Sequence, residues 1–378
     1  ELSERKLAKL YTQKLQRMEQ NLDRIGIGGN FFQYKTQLEL GKIRYRFLED
    51  EQHLVPPHIV KKGEFGILNF LRLISGVVND MESNMQLFNA SFVVNIPYEF
   101  INNLHLDKVI NYAKSNNYVY TYIMEMYYCS IMTVLKPAES SYFFRAKELY
   151  EANSHQFEAE EKNSWLTWLT NYCAFKINEG EDNYRKMLFE VNELHLKEIE
   201  TSRKKDLGKI FYLQVFRNAL SINEIEWGEK YIEKYTPYLK HSYQRSMRTL
   251  ADAFLAFKLK NYDKVIENLG KVKFIDARDK FYVRSLSLRA YYELGEIPTL
   301  LYHIDSAKQF VSKNSSLGKS TRINFNIFLN FMSRFLQLSE NNNKYELEML
   351  KKEILQDKSA INGIWLVEKI DEIIGKST

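Results

Sequence analysis

The sequence predicts an all-α fold in which helical hairpins are stacked in series as an α-solenoid. Three observations lead there. Tyr262, Val265, Leu269 and Val272 follow a short polar turn at spacings of three and four, and Ile297, Leu300, Ile304 and Ala307 repeat the pattern 35 residues later, the period of stacked helix pairs. Glycine and proline together number only 21 of 378 residues, too few for the many tight turns of a β-rich fold. Apolar residues elsewhere also recur at three and four, the period of an amphipathic helix.

The elements follow in order. From Glu1 to Ile25, Tyr11, Leu15, Met18, Leu22 and Ile25 form one stripe, and the glycine run from Gly26 to Gly29 is expected to end that helix. A second helix is expected over Phe31 to Leu48, then a loop holding Pro56 and Pro57, then an apolar helix from about Phe65 to Val78. Residues 1–95 do not follow the later repeat and read as an N-terminal helical subdomain or cap.

The hairpin array is expected over residues 96–340. Across this array and on into the C-terminal segment, second helices are indexed by an apolar residue with others at +3 and +7: Leu106/Val109/Ala113, Phe143/Ala146/Tyr150, Tyr184/Met187/Val191, Ile225/Gly228/Ile232, Tyr262/Val265/Leu269, Ile297/Leu300/Ile304 and Leu347/Leu350/Ile354. Successive anchors lie 37, 41, 41, 37, 35 and 50 residues apart. Any amphipathic helix gives such matches, so their regular recurrence carries the inference. Ser221 with Glu224 fits a capping box, and Asn261 precedes its helix as an N-cap. Pro137, Pro237 and Pro298 fall at expected turns or first helical positions. Residues 341–378 are expected to cap the stack, with a last helix over Ile361 to Ile374 and a stop at Gly375.

The segment Ala253-Phe254-Leu255-Ala256-Phe257-Lys258-Leu259-Lys260-Asn261-Tyr262 resembles the core of a tetratricopeptide (TPR) repeat, and Ala290-Tyr291-Tyr292-Glu293-Leu294-Gly295-Glu296-Ile297 repeats it. The clear similarity covers about residues 240–310. Lys260 stands in place of the turn glycine, and Val265 and Leu300 stand where alanine is usual. Leu250 to Ile374 also resembles an uncharacterised group of bacterial TPR-like proteins. The resemblance implies a right-handed α-solenoid that binds other proteins, and it supplies no activity.

Composition narrows the function. The net charge of +5 over 378 residues falls short of the basic stripe of a dedicated nucleic-acid binder. Tyr118, Tyr120, Tyr122, Tyr127 and Tyr128, expected on one helix, and Trp165 and Trp168 on the next could stack on bases, yet no basic residues accompany them. An RNA-associated repeat protein is therefore the runner-up reading. The most apolar run, Gly66 to Val78, is interrupted by Arg72 and is too short for a membrane span. Cys129 and Cys173 lack metal spacing, so buried thiols in a reducing, cytoplasmic setting are expected, with a disulfide between them left open. The chain starts at Glu1 rather than Met, which leaves room for a preceding segment.

No catalytic constellation stands out, and the chain is expected not to be an enzyme and to need no cofactor, metal or small-molecule substrate. Gly318-Lys319-Ser320-Thr321 and Gly375-Lys376-Ser377-Thr378 imitate the end of a P-loop, but Lys313 and Ile370 replace the earlier glycine and a helix precedes each. The Gly26 to Gly29 run lacks the strand that a dinucleotide loop needs. The seven histidines are scattered without HExxH, and His53 and His58 read as solvated or structural. Cys129 lacks an activating neighbour, and clusters such as Glu158, Glu160 and Glu161 read as charge-rich helix ends.

The positive candidates sit on first helices, on the side that faces inward in a TPR array: Leu213, Arg217, Leu250, Phe254, Phe257, Lys258, Tyr282, Arg289 and Tyr292. Rings supply apolar area and cations grip carboxylates or carbonyls, which suits a groove for a peptide, a helix or a neighbouring subunit. The competing reading is that Phe254 and Phe257 simply pack between hairpins, the commoner fate of apolar helical stripes. The sequence thus points to a protein-binding scaffold or a subunit of a larger assembly.

Overall fold

The computed structural model describes residues 2–88, 91–92, 94–202, 206–274, 276–314, 317–341, 343–357 and 361–375. The described residues form eighteen α-helices, short 3₁₀ turns and no strand, apart from a single bridge between Ile27 and Phe157. Two compact units divide between Tyr172 and Cys173, inside one helix. The expected boundaries at residues 95 and 340 do not coincide with that division. The reason lies in packing, since the long third helix packs on the sixth and the last helices pack on one another.

The N-terminal unit contains α1 (Leu2–Arg24), α2 (Phe31–Leu48), α3 (Pro56–Phe88), α4 (Ile96–Asn102), α5 (Leu106–Ser115), α6 (Thr121–Leu135), α7 (Ser141–Asn153) and the first part of α8 (Ala159–Asn178). Pro56 and Pro57 open α3 instead of lying in a loop, because the first turn needs no N–H from them and their fixed φ suits it. The helix runs well beyond the expected Val78. Buried polar groups tie it down: Ser75 and Ser130 hydroxyls lie 2.6 Å apart, Asn79 Nδ2 donates to Ser130 Oγ at 3.0 Å, and Trp168 Nε1 donates to Asn79 Oδ1 at 3.0 Å. His58 Nδ1 lies 2.6 Å from Glu39 Oε2, so this histidine is structural.

The glycine run does more than stop α1. A β-carbon on Gly26 would come within 2.9 Å of the Gln156 carbonyl oxygen, and the close approach lets Ile27 N–H donate to Gln156 O at 2.8 Å while Glu158 N–H donates to Ile27 O at 3.0 Å. Tyr118 and Tyr120 lie before α6, not on it. The Tyr120 ring inserts edge-on against Phe31, Phe32 and Phe65, while Tyr127 stacks on Trp165 at 5.4 Å and donates to Glu161 at 2.9 Å. These rings are packing groups.

The C-terminal unit holds the end of α8, then α9 (Tyr184–Thr201), α10 (Lys209–Ser221), α11 (Ile225–Tyr235), α12 (His241–Lys258), α13 (Tyr262–Lys271), α14 (Ala277–Glu293), α15 (Ile297–Lys313), α16 (Lys319–Glu340), α17 (Lys344–Gln356) and α18 (Gly363–Gly375). From α9 on, helices that follow one another in the chain pack together, and α10 also touches α12, α12 touches α14, and α16 touches α18. Across both units the +7 residue of all seven indexed sets is buried. Two indexed residues are exposed: Val109, whose place in the core Ile110 takes, and the anchor Ile297.

A second periodicity lies in the backbone. Gly180, Asn223, Lys260 and Gly295 all adopt positive φ (90°, 65°, 59° and 74°) at the turns between paired helices. At each turn the next residue's N–H reaches five residues back, from Glu181 to Lys176 O, Glu224 to Ala219 O, Asn261 to Ala256 O and Glu296 to Tyr291 O, at 2.9–3.0 Å. That is the helix-ending bond pattern which favours glycine. Lys260 adopts it without glycine.

The helix caps differ in part from expectation. Asn261 caps α13 by accepting from Lys264 N–H at 3.2 Å, as its position predicts. Ser221 makes no capping box with Glu224; its hydroxyl donates to Asn218 O at 2.7 Å, and Glu224 itself is the N-cap residue. The capping box lies instead at Asp276 and Asp279, opening α14. Gly318 precedes α16 and follows α15, so that glycine belongs to a helix N-terminus; Lys376, Ser377 and Thr378 lie outside the described residues.

Candidate functional site

The site is built on one face of α10, α12 and α14. Leu213 on α10 and Leu250 on α12 are 2% and 0% exposed, which places both in the core of the unit and corrects their assignment to a binding groove. Both belong to the hydrophobic cluster in which apolar side chains of neighbouring helices, among them Tyr231, Val265 and Leu286, are buried together. Phe254 is 9% exposed and belongs to the same core. Its remaining face is covered by a cation.

Arg217 extends from α10 so that its guanidinium carbon lies 5.2 Å from the Phe254 ring and 5.2 Å from the Tyr282 ring. Those two rings meet edge to face at 6.3 Å. The side chain is exposed, and no carboxylate pairs with it among the described residues. Each contact of a guanidinium with a ring is worth about 0.5–1 kcal/mol at a surface, enough to hold the fork in place while leaving its N–H donors unfilled.

Arg289 on α14 lies over Phe257 at 4.6 Å. Burial and then the charge of Arg217 press its pKa down from the ordinary arginine value to about 9, so it keeps its proton at neutral pH and carries poorly compensated charge. Glu293 attracts it, but that carboxylate is already occupied by Lys369 Nζ at 3.0 Å and Trp365 Nε1 at 2.9 Å. The structure therefore brings together Arg217, Phe254, Phe257, Tyr282 and Arg289. Two of the sequence candidates stand apart. Lys258 lies half-buried in the last turn of α12, where a cation suits the helix C-terminus. Tyr292 packs against Phe335 and Trp365, and burial pushes its hydroxyl up to about 12, so it serves the packing of α14 against α16 and α18.

A third guanidinium escaped the sequence reading. Arg284 on α14 sits 4.4 Å from the Phe310 ring of α15, and its Nε has no hydrogen-bond partner among the described residues. Its spacing from Arg289 puts it on another face of α14, so periodicity anchored on Tyr282 and Arg289 passes it by. At the start of the same helix Lys209 bridges Asp276 and Asp279, each at 2.8 Å, and lies over Tyr243. Burial opposes ionisation of Asp276, yet Lys209 and the backbone N–H groups of Asp279 and Arg278 outweigh it and hold that carboxyl below its usual range. In this cluster the lysine is paired twice over, a structural lock, unlike Arg217, which has no carboxylate partner among the described residues.

Both cysteines are buried and neither forms a disulfide; burial raises the Cys129 thiol to about 12, which keeps it protonated and unreactive. Among the described residues no three His, Cys, Asp or Glu side chains converge as a metal set, and no helix is long and apolar enough to cross a membrane. No family model matches the chain, and no curated protein or solved structure is significantly similar to it.

Proposed function

We propose that the chain is a non-catalytic interaction scaffold, or a subunit of a larger assembly, whose C-terminal unit is a right-handed solenoid of TPR-like hairpins. It binds a protein partner through the face bearing Arg217, Tyr282, Phe257 and Arg289. The serial packing from α9 to α18, the contacts of α10 with α12 and of α12 with α14, and the four like-shaped turns support the solenoid reading.

One observation carries the binding role. Arg217 is seated on two rings with its hydrogen-bonding edge unpaired, next to a second arginine whose charge is poorly compensated. A partner carboxylate entering there gains charge-assisted hydrogen bonds and relieves the repulsion between the two cations, while a partner side chain laid on Tyr282 gains apolar contact. An acidic segment of a polypeptide supplies both.

Affinity capture with the intact chain followed by mass spectrometry tests the reading. The wild type is expected to recover a protein partner, and Arg217→Glu to lose it while keeping the helical circular-dichroism signal. Recovery of nucleic acid alone, or equal recovery by both chains, would overturn it.

A further inference from the structure

We propose that α3 carries an isologous interface through which two copies of this chain associate with their α3 helices antiparallel. Placed at 100° per residue, Ile59, Ile67, Phe70, Leu73, Val77 and Met85 fall on one stripe of α3, and all six are exposed. From Ile59 to Met85 the stripe includes no charged residue, and it runs for roughly 40 Å at the helical rise. Val94, Ile96 and Phe100, exposed beside it on and before α4, widen the patch, with Phe100 edge-on to Phe70 at 5.5 Å. Apolar patches of this extent mark interaction surfaces.

The occupant follows from the pattern of the stripe and its flank. Lys62 and Asp80 lie on the same flank, five helical turns apart, and neither has an ion-pair partner among the described residues. A two-fold axis crossing α3 between Leu71 and Arg72 sets Lys62 of one copy close to Asp80 of the other, twice over. The same axis sets Phe70 opposite Leu73, and Gly66 opposite Val77, so that a position without a side chain meets a branched one. Parallel association would instead leave Lys62 and Asp80 five helical turns apart in level, so that neither would meet the other. An isologous contact, in which residue i meets j and j meets i, is what this symmetry of charge and size provides.

Sedimentation velocity or light scattering coupled to size exclusion, run on the intact chain over a range of concentrations, tests the proposal. The wild type is expected to be a dimer. Leu73→Glu is expected to weaken it about thirtyfold or more, as loss of a central apolar contact does, with an unchanged circular-dichroism spectrum because Leu73 is exposed. Lys62→Asp is expected to weaken it and the double variant Lys62→Asp/Asp80→Lys to restore it, which a merely sticky surface would not do. A monomer at every concentration, a dimer indifferent to Leu73→Glu, or failure of the charge exchange to restore association would each overturn the proposal. Occupation of the patch only by a different protein would do so as well.

Discussion

The outward face of α3 exposes aliphatic and aromatic side chains, whereas the face shared by α10, α12 and α14 presents half-buried rings such as Phe257 and Tyr282, and the two differ in where their charge sits. On α3 the charges stand at the flanks and the stripe is free of them. On the other face guanidinium groups are seated on the rings themselves. The difference teaches that exposed apolar surface is not one kind of feature: a clean stripe selects a partner with a matching stripe, whereas capped rings with unfilled donors select an anion.

The largest expected effect separates the two sides of α3. Leu68, 0% exposed, and Leu73, 52% exposed, lie on the same helix. Leu68→Ala should cost about 2–5 kcal/mol in denaturant unfolding, and Leu73→Ala should leave monomer stability within about 0.5 kcal/mol. Equal losses would mean that the stripe is part of the unit's own core. Asp279→Ala removes the best-buried partner of Lys209 and half of a capping box, and about 3 kcal/mol should go from the C-terminal unit. Arg217→Ala, which breaks no ion pair, should cost about 1 kcal/mol, so similar losses would count against the contrast between lock and open site.

Acidification probes both units in the same direction. Burial raises Glu125, but hydrogen bonds from Arg145 and Lys114 outweigh it and hold its carboxyl low, as Lys209 and the backbone do for Asp276. A depressed carboxylate contributes stability that is present above its unfolded pKa of about 4 and lost as pH falls through the folded value. The melting temperature is therefore expected to drop on going below about pH 4, while Glu125→Gln and Asp276→Asn flatten the dependence.

Backbone substitutions act through close contact and local conformation. Gly26→Val should destabilise the N-terminal unit by about 1–3 kcal/mol, because its β-carbon meets backbone atoms that cannot turn aside. Lys260→Gly should stabilise the C-terminal unit by about 0.5–1 kcal/mol by relieving a left-handed conformation that Gly295 holds freely. The smallest change belongs to Ser221→Ala, expected within about 0.5 kcal/mol because its hydroxyl caps no helix N-terminus. A loss near 1 kcal/mol would restore the capping role.

Helix type, the pairing turns and the buried +7 positions were determined by the sequence alone, since they depend on local periodicity and on which side chains can shield an apolar stripe. Asn261 as a cap and the start of α13 at Tyr262 were legible for the same reason. Tertiary structure decided the rest. It buried Leu213 and Leu250 by bringing neighbouring helices over them, drew Tyr292 toward Phe335 and Trp365, and left Arg217 on two rings from different helices. It also used Gly26 for a close backbone approach 130 residues away along the chain. Periodicity specifies which face of a helix is apolar, but whether that face meets a neighbour, a ring or solvent depends on groups distant in sequence, and those distances are fixed only when the helices pack.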